Sequence, residues 1–111
     1  MRPPIIVDNR GDVGIFETSG AAERYLEPID IRHGEYVIYD SEGQRLEGVI
    51  AKRRLNEIVK LQPAPKSDVN PDALRHILIG FLSRVDHTPE DVLSSRSLPQ
   101  LITDALRHRI K

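Results

Sequence analysis

A chain of 111 residues, 39% hydrophobic and 30% charged, fits one domain rather than two and is too apolar for a disordered tail. The absence of cysteine excludes a disulfide framework, a thiolate metal site and a cysteine nucleophile, and suits a reducing compartment. Residues 1–62 carry nine Lys/Arg against eleven Asp/Glu, and residues 63–111 carry seven against six. Neither part has the basic excess that neutralising several phosphates requires, so nucleic acid is not the expected partner.

At the N-terminus the apolar run stops at Asp8, too short for a signal-peptide core, and no later run approaches membrane-spanning length. A cytoplasmic protein without membrane contact is expected. Ile5, Ile6 and Val7, the loop Asp8-Asn9-Arg10-Gly11-Asp12, and then Val13, Ile15 and Phe16 read as a β-hairpin, with Gly11 able to supply a positive φ. Residues 19–27 follow as a helix, with Ser19 as N-cap, Pro28 as stop, and Ala22, Tyr25, Leu26 and Ile29 as its buried stripe.

From Glu35 the apolar period returns to two. Tyr36 to Tyr39, a turn at Asp40-Ser41-Glu42-Gly43, Gln44 to Arg53, and Glu57 to Leu61 predict a three-strand antiparallel meander. With the first hairpin this gives residues 1–62 a five-stranded, mostly antiparallel sheet with one inserted helix. Residues 63–69, beginning Pro63-Ala64-Pro65, read as a linker, and residues 70–111 as a helical segment packed on one sheet face. The fold class expected is therefore α+β, one domain over 1–111.

Within the helical segment, Asn70-Pro71-Asp72 combines a capping side chain, a proline that needs no N–H, and an acid at the positive end of the dipole. Ala73, Leu74, Ile77, Leu78, Phe81, Leu82 and Val85 then form one wide apolar face. Thr88-Pro89-Glu90-Asp91 starts a short helix. Ser97 with Gln100 predicts a capping box for a last one bearing Leu98, Leu101, Ile102, Ala105, Leu106 and Ile110.

Motifs for chemistry are incomplete wherever they begin. Asp8, Arg10 and Asp12 space like a calcium loop, but the middle residue is a cation and no Glu closes the site. His33, His76, His87 and His108 lack ligand spacing, the glycines never cluster into a phosphate loop, and no G-x-S-x-G elbow is present. No metal, cofactor or catalytic residue is expected. A small enzyme built on dispersed acids is the second alternative. The first is a nucleic-acid binder using the C-terminal helices, the last of which ends Arg107, His108, Arg109, Lys111.

The polar and aromatic groups Tyr36, Tyr39, Asp40 and Glu42 are the expected partner-binding residues. A sheet with helices on one side leaves the other face free, and the spacing of the two tyrosines sends them to opposite faces, so one at most is interfacial. The segments GIFETSGAAERYLEPIDI and EYVIYDSEGQRL, within residues 3–47, resemble short bacterial immunity proteins of toxin systems. That resemblance implies a cytoplasmic protein that binds and blocks one cognate toxin, and it carries no catalytic residue.

Overall fold

The computed structural model describes residues 1–65 and 69–108. Strands β1 (Ile5–Asn9), β2 (Asp12–Phe16), β3 (Val37–Tyr39), β4 (Arg45–Arg53) and β5 (Asn56–Pro63) form one antiparallel sheet in the order β2-β1-β3-β4-β5. Helices α1 (Ser19–Tyr25) and α2 (Pro28–Arg32) lie between β2 and β3 in the chain. Helices α3 (Pro71–Val85), α4 (Glu90–Ser94) and α5 (Leu98–Leu106) follow the strands. The α+β class and the five-stranded sheet are as the sequence predicts.

The sheet is covered on both faces, not on one. Ile6, Val13, Ile15 and Tyr39 point toward α3–α5 and join Leu74, Leu78, Phe81, Leu82, Leu93, Leu101, Ile102 and Ala105. Ile5, Val7, Phe16, Ile38, Leu46, Val59 and Leu61 point the other way and join Ala22 and Leu26 of the inserted helical segment. The period of two assigns alternate residues to these cores, and β1, an interior strand between β2 and β3, has in Ile5-Ile6-Val7 a run that satisfies both. The free face expected for partner binding is thus occupied by α1 and α2.

Local chemistry fixes the element ends. Thr18, not Ser19, caps α1, its Oγ1 accepting from the Ala21 N–H at 3.0 Å. Glu27, before Pro28, is extended, as a proline stop requires, and α1 ends just ahead of it at Tyr25; Pro28 itself then opens α2, where its missing N–H is no loss. Of the predicted stripe, Ala22 and Leu26 are buried; Ile29 is exposed beyond the point where the helix restarts, and Tyr25 is partly exposed with its ring 4.9 Å from that of Phe16. Asn70 accepts from the Ala73 N–H at 3.1 Å, and Ser97 and Gln100 form the predicted capping box at 3.3 and 3.0 Å.

The predicted linker is shorter than expected. Pro63 closes β5, opposite Leu46, and Val69 bridges Gln44. Gly43, at φ +87°, presses against the start of α3: a Cβ there would meet the Pro71 backbone at 2.7 Å, and its carbonyl accepts from the Asn70 N–H at 2.8 Å. This contact docks the β3–β4 turn on the helical segment. Of the α3 stripe Leu74, Leu78, Phe81 and Leu82 are buried and Val85 is exposed; Ile110 lies outside the described residues.

Candidate functional site

The four residues singled out from sequence do not converge on a surface. Tyr39 is buried under the C-terminal helices, with the Arg45 guanidinium 5.9 Å from its ring centre. Asp40 is 3% exposed and spends both carboxylate oxygens on backbone: it accepts from Glu42 N and Gln44 N at 2.9 Å each and from Arg2 N at 3.1 Å. Both residues hold the β3–β4 turn and the N-terminus together, so they offer no contact area. Tyr36 lies on the opposite face, as the spacing requires, but packs against the α1–α2 core and donates to Asp30 at 3.0 Å. Burial first, and the Asp30 carboxylate second, raise its phenol above the ordinary tyrosine value. Of the four only Glu42 is exposed, 3.6 Å from Arg2.

An open surface lies elsewhere in the sheet. The β3 strand pairs with β4 only at Ile38–Leu46 and Tyr39–Arg45, whereas β4 and β5 stay paired to Arg53–Asn56. The six residues Gly48 to Arg53 therefore run on, with their β5 partners, as a two-stranded ribbon about 20 Å long. Val49 and Ala51 share a face with Arg45 and Glu47, and Ile58 and Lys60 stand opposite them in register. That face continues the one that α3–α5 cover over β1, β2 and β3, yet the apolar core beneath those helices contains no residue of β4 or β5 among the described residues. Val49 is 39% exposed, and Ala51 and Ile58 are half-buried and belong to neither core.

The ribbon ends in a two-residue turn, Arg54-Leu55. Arg54 has φ +59°, a region that suits glycine, and Leu55 is 100% exposed. Between residues 45 and 62 stand five cations, Arg45, Lys52, Arg53, Arg54 and Lys60, against Glu47 and Glu57, a local charge of +3. The remaining residues carry eleven Lys/Arg against fifteen Asp/Glu, a charge of −4. Division of the chain at residue 62 averages this asymmetry away. A short sliding window over Lys52-Arg53-Arg54-Leu55 exposes it.

The ribbon's far face is fastened to α2. Arg32 forms a two-pronged pair with Glu57 at 3.1 and 2.5 Å, and Ile31 lies against Gly48, where a Cβ would meet its Cδ1 at 2.6 Å. The hydrogen bond from Arg32 holds Glu57 below the usual carboxylate range. Glu23 of α1 caps the outer edge of β5, accepting from the Leu61 N–H at 2.7 Å and standing 3.9 Å from Lys60. A groove of about 420 Å³ between α1 and β5 contains both of these acids, and each is already bound to a cation or backbone donor. Among the described residues no group of three His, Asp or Glu could hold a metal ion.

The cations of the C-terminal helices serve the fold. Arg75 donates to the carbonyls of Arg96 and Ser94 at 2.7 and 3.0 Å, Arg84 to that of Gly11, and Arg96 and Arg107 meet Asp104 at 2.7 and 3.9 Å. His108 pairs with Asp86 at 2.5 Å; His33, His76 and His87 are exposed. By contrast the side chains of Arg53 and Arg54 make no ion pair or hydrogen bond with any described residue, although the Arg53 backbone pairs with Asn56 in the ladder. No family matches the chain, and no curated protein or solved structure is significantly similar to it. No described helix is long and apolar enough to cross a membrane.

Proposed function

We propose that this chain is a non-catalytic protein-binding domain of the bacterial immunity type, cytoplasmic, which neutralises a cognate toxin by holding it against the open face of the β4–β5 ribbon. The observation that carries the reading is the apolar set of exposed Val49 and Leu55 with half-buried Ala51 and Ile58, which belongs to neither core. Apolar residues at the centre of a patch with charges around it are the usual make-up of a protein interface. The resemblance of residues 3–47 to immunity proteins gives the reading its biological direction. The chemistry around the ribbon adds to it, since its carboxylates serve pairing and capping instead of converging on a reactive centre.

The test is co-expression with the toxin domain encoded beside the gene. The wild-type chain should restore growth and co-purify with the toxin. Val49→Asp, at a position 39% exposed, should abolish both while its circular dichroism matches that of the wild type. Lack of protection by the wild type, or full protection by Val49→Asp, would overturn the reading.

A further inference from the structure

Resting on that reading, we infer that the ribbon's partner is an acidic protein surface with an apolar recess. Leu55 enters the recess, and Arg53 and Arg54 engage carboxylates on its rim. The turn presents these groups together. Leu55 is wholly exposed at the end of the ribbon, and Arg53 and Arg54 are adjacent to it with no partner of their own among the described residues. The turn also holds an arginine at φ +59°, where glycine, asparagine or aspartate fits with less strain.

Charge decides between occupants. A second copy of this chain docked ribbon to ribbon would bring two +3 segments face to face. Nucleic acid would meet few free cations here, interrupted on the open face by Val49, Ala51 and Ile58, on a chain whose other residues sum to −4. An acidic protein surface matches both parts of the turn: guanidinium groups bind carboxylates through paired hydrogen bonds, and a lone exposed leucine becomes a binding anchor once a recess removes it from water.

Fluorescence anisotropy of the purified chain with a labelled peptide of about 14 residues, made only of glutamate and leucine, tests this directly. Binding should weaken about tenfold between about 50 and 500 mM salt, and by a similar factor in R53E/R54E and in Leu55→Ser. Replacement of the peptide's leucines by serine should weaken binding about fivefold, and a DNA duplex of about 20 base pairs should bind more weakly than the glutamate–leucine peptide. Circular dichroism establishes that both variants are folded. Absence of peptide binding, insensitivity to R53E/R54E, or tighter binding to the duplex would overturn the inference. In the co-expression assay, protection lost in Val49→Asp but retained in R53E/R54E would leave the protein-binding reading standing and remove the acidic partner. Protection retained in both would remove the reading itself.

Discussion

Ile5-Ile6-Val7 on β1 and Val49-Ile50-Ala51 on β4 are both runs of three apolar residues in one sheet. The first is buried to 0%, 0% and 1% exposure, whereas in the second Val49 reaches 39% and its neighbours are half-buried. An apolar run on a strand signals that both faces are covered. On β1 they are, by α1–α2 on one side and α3–α5 on the other. On β4 the signal outruns the cover that the described residues provide. The difference separates apolar residues that hold the fold from apolar residues free to meet a partner, and substitutions in the two regions should divide accordingly.

Leu78→Ala should have the largest effect. Leu78 is fully buried between the sheet and α5, and its truncation leaves a cavity, so a loss of about 3–4 kcal/mol is expected in urea denaturation. Asp40→Ala should follow at about 2–3 kcal/mol, because three backbone N–H groups lose their acceptor in a buried turn. If Asp40 were instead a contact residue, stability would hold and binding alone would fall.

Much of this division was legible in the residues themselves. The caps at Asn70 and Ser97, the heptad-like stripe of α3 and the alternating strands follow local rules that tertiary packing did not override. The covering of both faces was legible too, in the unbroken triplet Ile5-Ile6-Val7, but a reading of it as simple alternation leaves one face bare. Partner residues could not be read from residue type, because Tyr36, Tyr39 and Asp40 are as suited to internal hydrogen bonds and packing as to an interface. Only the folded contacts, Tyr36 with Asp30 across the α2–β3 turn and Asp40 with the distant Arg2, decide between these uses. The ribbon was missed for another reason: its exposure depends on where β3 begins, and the alternating run that leads into Val37 leaves no sequence mark of that start.

Tyr36→Phe probes the boundary between the two regions at intermediate size. Loss of the hydrogen bond to Asp30 should cost about 1 kcal/mol. The pH dependence gives a sharper test. The folded phenol ionises above its ordinary value of 10.0, so both states stay protonated below that pH and the contribution is fully present there. Above it the unfolded chain loses its proton first, and stability falls as pH rises toward the folded value. Denaturation melts at pH 9 to 11 should show a decline that is shallower in Tyr36→Phe, about one pH unit on either side of the ordinary value.

Leu55→Ser should change stability least. Leu55 buries no surface in the folded chain, so its removal should shift the denaturation midpoint by no more than about 0.5 kcal/mol, of either sign. The small value is the informative one when set beside Leu78→Ala, since the two substitutions remove the same side chain type from the same protein. A measured loss above about 1 kcal/mol would mean that the ribbon tip folds back on the body and is part of the core economy. A loss within the expected range leaves Leu55 with no internal use, and any reduction of binding in the same variant is then an effect at the contact itself.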